Sequence, residues 1–297
     1  MDRVSKRPAL FRALGKSEPP PRVTVLGGDY ALLTNLKHDS WAATAIYGGA
    51  GGERIICKFN RLQPAFIIPL GWLGKILARR EAGFMRRLAH LDRVPRDKGA
   101  VSAGGRILPN AIARSYIEGE PFHGASIVDA AFFADLRRTL DALHASGMAY
   151  VDLHKRENII IDTLGRPNLI DFQVSLGLTD SWPGNGALKR FIVGKLQEMD
   201  DFHYRKHYAR CLPELLGPDE VKRYLHPPGF LRAHRRVAVP LRSLRRRLLT
   251  LLNVRDKTGM AGSEREPEDA FRAVTRDRER GRADADRSHE PGQESLG

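Results

Sequence analysis

The stretch from Gly147 to Phe172, GMAYVDLHKRENIIIDTLGRPNLIDF, is the part of the chain that most restricts its fold. Asn158 to Asp162 (NIIID) has the apolar run of a short buried strand. Thr163 to Arg166 supplies a glycine-containing turn, and Pro167 to Phe172 (PNLIDF) returns as a second strand. A hairpin brings its ends together, so Asp152 before it and Asp171 at its close are expected at one rim, with Asn158 between them. Two carboxylates and an amide at one rim are the equipment for holding Mg²⁺ and orienting a hydroxyl.

These residues also carry a resemblance. Asp152-Leu153-His154 followed by Asn158, then Ile170-Asp171-Phe172, resembles the catalytic loop and metal-binding segment of the protein-kinase-like superfamily. The DLH form, with His154 where protein kinases carry Lys, is similar to the bacterial small-molecule and lipopolysaccharide-core kinases of that superfamily. Tyr150 and Val151 stand in place of the His and Arg of H-R-D, and Gln173 replaces the Gly of D-F-G. Asn158 follows Asp152 by six positions, against five in the family, so either the loop bulges by one residue or Glu157 takes the metal position.

With 297 residues the chain is long enough for a two-lobed α+β protein-kinase-like fold with an antiparallel N-lobe sheet and a mainly helical C-lobe. Cys57 and Cys211 make no disulfide framework, and the charged N-terminus lacks the apolar core of a signal peptide, so a cytoplasmic protein is expected. The net charge of +14 is concentrated: Lys222 to Arg255 contains ten Lys or Arg and no Asp or Glu. Such a block implies an anionic neighbour. Its scarcity of aromatics for stacking argues against nucleic acid.

Residues 1–21, polar and ending in Pro19-Pro20-Pro21, read as a flexible arm. The N-lobe is expected over 22–114, with strands at Tyr30 to Leu36, Ala42 to Tyr47 and Arg54 to Phe59. The resemblance aligns the nucleotide loop with Leu36 to Ala42, where none of the family's glycines is kept. Lys37 and Ser40 are then expected to meet phosphate with side chains. The run Gly48 to Glu53 (GGAGGE) reads instead as a hairpin turn. Lys58, alone in an apolar strand, needs an anionic partner. Glu81, Phe84, Leu88 and Leu91 lie at helical spacing over about 77–91, which puts Glu81 on the apolar face, and the resemblance implies the pair Lys58 to Glu81 with Lys58 on the α and β phosphates. The intervening run 64–77, PAFIIPLGWLGKIL, fits either core packing or a surface touching lipid, with Trp72 and Lys75 suited to a headgroup boundary.

The C-lobe is expected over 115–221. By resemblance Ser115 to Gly119 is the hinge, where the backbone of Ser115 and Ile117 pairs with adenine. Phe133, Leu136, Leu140 and Leu143 mark a helix ending near Gly147, and Leu188 to Arg210 another, on which the resemblance makes Asp201 a brace for the catalytic loop. His203 and His207 have zinc-like i, i+4 spacing but no fourth ligand nearby, and read as packing residues. A basic amphipathic segment over 222–255, with leucines at 241, 244 and 248, either packs on the lobe or rests on anionic lipid. Residues 256–297 read as a disordered tail.

Together the resemblance implies an ATP- and Mg²⁺-dependent phosphotransferase. Asp152 would orient or accept the hydroxyl proton, with Lys58, Glu81 and His154 as its catalytic partners. Lys37, Ser40, Lys58, Ser115 and Ile117 would hold ATP; Asn158 and Asp171 would hold the metal. The short segment after Asp171 and the apolar and basic surfaces favour a sugar hydroxyl of a lipid-linked glycan as acceptor. The alternatives are a serine/threonine protein kinase and a pseudokinase acting as a membrane or partner binding module.

Overall fold

The computed structural model describes residues 8–64, 69–123, 126–179 and 186–229. The small lobe is a seven-stranded antiparallel sheet of β1 (Arg22–Val25), β2 (Gly28–His38), β3 (Ala42–Gly48), β4 (Arg54–Asn60), β5 (Val101–Ala103), β6 (Arg106–Ile107) and β7 (Ala111–Ser115). Their order is β6-β5-β1-β2-β3-β4-β7, so β2, β3 and β4 form the middle of the sheet as a meander. Val23, Ala43, Ala45, Tyr47, Ile55, Cys57 and Phe59 point to one face and make its core. On the other face, Lys58 and Ile56 look towards the large lobe.

Helix α1 (Gly71–Arg87) starts earlier than the apolar spacing predicts and buries Ala78, Glu81, Phe84 and Met85. It begins hard against the end of β4. A Cβ on Gly74 would lie 2.2 Å from the Arg61 carbonyl oxygen, so only glycine permits this approach. Trp72 is 58% exposed beside it, and Ala65 to Ile68 of the apolar run lie outside the described residues.

The large lobe is built on α2 (Ala130–Ala145) and α3 (Ala187–Cys211), with β8 (Gly119–Pro121), β9 (Met148–Ala149), β10 (Ile159–Asp162), β11 (Pro167–Leu169) and β12 (Leu176–Gly177) forming two small sheets. Asp129 caps α2 by accepting a hydrogen bond from the Phe132 amide at 2.8 Å. Phe132, Phe133, Leu136, Leu140 and Leu143 then pack with Phe122, Leu153, Ile159 and Leu169. The predicted hairpin is present as β10 and β11, paired from Ile159↔Leu169 to Ile161↔Pro167. Asn158 closes a 3₁₀ turn before it, and the returning strand ends at Leu169, short of Asp171. A last helix, α4 (Pro218–Leu225), carries Lys222 and Arg223. The basic segment from 230 and the tail 256–297 lie outside the described residues.

One expectation fails at the N-terminus. Residues 8–21 are not a free arm but a strap laid across the β2–β3 connection. The Ala13 amide donates to Asp39 O at 2.7 Å, Leu62 donates back to Ala13 O at 2.9 Å, and the Tyr47 hydroxyl donates to Pro20 O at 2.7 Å. Arg12 pairs with Glu18 at 2.6 Å and with His38 at 2.8 Å. The polar composition concealed this because most of the strap's bonds use backbone groups, which every sequence possesses.

Candidate active site

Lys58 occupies the middle of β4, where its register partners are Thr44 and Ile112. Its ammonium lies 2.9 Å from Glu81 Oε2 and 2.8 Å from Asp171 Oδ1. Burial pulls the Lys58 pKa down, but the two carboxylates outweigh it and hold it above the ordinary lysine value. Glu81 is 1% exposed; burial raises its pKa, and Lys58 offsets part of the shift. For Asp171 the balance reverses: burial raises, yet Lys58 and then Lys155 bring the carboxyl below its usual value. The pair expected between Lys58 and Glu81 is therefore present, extended by Asp171 into a three-membered bridge between the lobes.

Asp152 and Asn158 are held together within the catalytic loop. Asn158 Nδ2 donates to Asp152 Oδ2 at 2.9 Å, and Lys155 Nζ donates to the same oxygen at 2.7 Å. His154 Nδ1 lies 3.3 Å from the other oxygen, with its ring largely towards solvent and 5.7 Å from that of His203. Of these two cations beside Asp152, Lys155 lines the cleft and His154 does not. Glu157, exposed, and Asn158, buried against Asp152, both line the cleft.

Two residues of this region have left-handed backbone: Val151 at φ 74° and Asp171 at φ 61°. For a β-branched side chain such as valine this is a genuine strain, and something must hold it. Asp200 does so. Its fully buried carboxylate accepts from the amides of Tyr150 at 2.7 Å and Val151 at 2.8 Å, and from His144 Nε2 at 3.2 Å. Burial raises its pKa, partly offset by His144 and the two amides. The brace expected at Asp201 is therefore one residue earlier; Asp201 pairs with Arg137 at 2.6 Å on the surface of α3. Helical phase decides this, since adjacent residues on a helix point about 100° apart.

Tyr150 takes over a further link. Its ring stacks edge-on with Phe172 at 5.4 Å, and its hydroxyl donates to the Ile170 carbonyl, so the catalytic loop grips the segment that carries Asp171. Gln173 donates to Asn60 Oδ1 at 2.8 Å. On α3, His207 donates from Nε2 to the Leu153 carbonyl at 2.8 Å and accepts at Nδ1 from Arg156 at 3.3 Å, as the neutral tautomer does. Burial lowers its pKa to about 4.

Among the residues expected to bind nucleotide, the structure brings Lys37 and Ile117 into the inter-lobe cleft together with Leu36, Ile56, Lys58, Arg114, Tyr116, Ile160, Ile170 and Asp171. Lys37 lies 3.0 Å from Asp39. Ser40 is not there. Its hydroxyl donates to Phe11 O at 3.0 Å, which ties the β2–β3 loop to the N-terminal strap. Ser115 also stands back from the cleft: its amide donates to Arg96 O and its hydroxyl accepts from Arg96 N, both at 2.9 Å. In the loop without glycines, Asp39 Oδ1 accepts from the amides of Trp41 at 2.7 Å and Ala42 at 2.9 Å, fixing the turn by side chain instead.

Residues fit for a divalent cation are Asp171, as a carboxylate, and Asn158, whose side-chain oxygen remains opposite the nitrogen bound to Asp152. Among the described residues no group of three or more His, Cys, Asp or Glu forms a metal cage.

The fold is thus the two-lobed protein-kinase-like one, with the ion-paired Lys58, Lys155, Asn158 and Asp171 facing one cleft and Asp152 hydrogen-bonded to Lys155 and Asn158. No protein-family model matches the sequence, and no curated protein matches it. Among solved structures, the Rio2 kinase from Chaetomium thermophilum is similar in two forms. Its ADP/Mg²⁺-phosphoaspartate complex shares 18% identity at a TM-score of 0.43, over 64% of this chain and 60% of that one. A second structure of that kinase shares 16% identity at a TM-score of 0.45, over 72% of this chain and 64% of that one. The chain spans less than two thirds of either neighbour's length.

Proposed function

We propose that the protein is a Mg²⁺-dependent phosphotransferase that moves the γ-phosphoryl group of a nucleoside triphosphate, ATP by the resemblance, to a hydroxyl. The observation that carries this reading is the convergence of Lys58, Glu81, Asp171, Asn158 and Lys155 on one cleft, from elements far apart in the chain, with Asp152 hydrogen-bonded to Asn158 and Lys155. Lys58, braced by Glu81, supplies a fixed cation for phosphate oxygens; Asp171 and Asn158 supply the metal ligands. When bound, Mg²⁺ neutralises phosphate charge. Asp152, locked by Asn158 and Lys155, has the chemistry to orient the acceptor hydroxyl and take its proton, and Lys155 offers a second cation beside it.

The acceptor we favour is a sugar hydroxyl of a lipid-linked glycan, reached from the inner face of a membrane. Only residues 174–186 separate the Asp171 segment from α3, which leaves little room for a peptide-docking platform. Trp72 and Phe191 stand exposed, and among the described residues no helix is long and apolar enough to cross a membrane. The test is Mg²⁺-dependent transfer of labelled phosphoryl from ATP or GTP to a lipid-glycan extract or to a casein-type protein, by wild type and Asp171→Ala. Label on the glycan that Asp171→Ala abolishes supports the reading. Label on the protein alone makes it a serine/threonine kinase, and absence of both nucleotide binding and transfer refutes a phosphotransferase.

A further inference from the structure

The nucleotide cleft divides into a phosphate end, with Lys37, Lys58, Lys155 and Asp171, and an apolar slot between Leu36 and Ile56 above and Ile160 and Ile170 below. At its inner wall stands Arg114, the register partner of Ile56 on β7, with its side chain on the same face of the sheet as Lys58. Burial lowers the Arg114 pKa while Glu81 and Asp171 oppose that shift, and an arginine so placed stays cationic. Its Nη1 donates to the Ser115 carbonyl at 3.4 Å. An adenine here would bring its own N–H₂ donor against a guanidinium that has only donors. A purine with oxygen at C6 presents two acceptors, O6 and N7, which is the bidentate match for arginine.

We infer that Arg114 selects the base, and that the preferred phosphoryl donor is a 6-oxopurine nucleotide, guanine or hypoxanthine, rather than an adenine one. This rests on the nucleotide-binding reading above and refines its donor.

The experiment measures calorimetric binding of GDP, IDP and ADP with Mg²⁺ to the full chain, to Arg114→Met and to Arg114→Gln, with thermal melts to show that each variant is folded. Wild type should bind GDP and IDP about tenfold or more tighter than ADP. IDP lacks the 2-amino group, so a preference shared by GDP and IDP isolates the C6 oxygen. Arg114→Met should bring the nucleotides to near-equal affinity. Arg114→Gln, whose amide pairs with adenine N6 and N7, should turn the preference towards ADP. ADP binding as tightly as GDP to wild type, or a GDP preference that survives in a folded Arg114→Met, overturns the inference and leaves the phosphotransferase standing. If none of the three nucleotides binds, the phosphotransferase reading falls with it.

Discussion

Replacing Asp200 by Asn removes one oxygen acceptor and substitutes an N–H₂ donor without changing the side chain's shape. The Tyr150 and Val151 amides each use a different oxygen of the carboxylate, at 2.7 and 2.8 Å. In the variant only one of them keeps an acceptor, and the other faces a donor in a fully buried site. An unsatisfied buried polar group costs ~1–3 kcal/mol, and the surviving bond loses its charge assistance, so a loss of about 3 kcal/mol in unfolding free energy is expected. The left-handed strain at Val151, φ 74°, is then no longer opposed and the peptide before Asp152 can relax. A displacement of this kind in the catalytic loop should slow transfer on the order of 10²-fold. Urea denaturation and phosphoryl-transfer rates read both effects. Asp201→Asn is the control: its pair with Arg137 is 40% exposed on the Asp201 side, and less than ~1 kcal/mol is expected. If Asp200→Asn unfolds with wild-type stability, or Asp201→Asn costs more than Asp200→Asn, the bracing argument is wrong.

Lys155→Ala should slow transfer by on the order of 10²-fold or more, and His154→Ala by clearly less, because Lys155 lies 2.7 Å from Asp152 within the cleft; equal losses in steady-state kcat would restore the histidine to the role. Ser40→Ala should leave nucleotide affinity unchanged while costing about 1 kcal/mol through the lost bond to Phe11, and weaker binding by calorimetry would return Ser40 to the site. His207 has a folded pKa of about 4 against an ordinary 6.5, so between those values the unfolded chain binds more protons. Stability should therefore fall as pH drops through that window, by up to ~3 kcal/mol from this residue. Urea midpoints at pH 7 and pH 5 should differ less in His207→Gln than in wild type, and an unchanged difference would contradict this.

The sequence by itself determined the main elements and several of the residues that line the cleft. Alternating strands at 30–36, 42–47 and 54–59, the hairpin after Asn158 and the inward face of Glu81 were all legible, because periodicity and turn residues are local properties. Which residue of a close pair makes the decisive contact was visible only in three dimensions. Both His154 and Lys155 approach Asp152, but only Lys155 lines the cleft. Asp200 rather than Asp201 braces Val151, since one step on a helix turns a side chain about 100°. The N-terminal strap and the inward-facing Arg114 were invisible for a related reason. The strap is held by backbone groups common to all sequences, and Arg114 acquires its meaning from its register opposite Ile56, which only the assembled sheet defines.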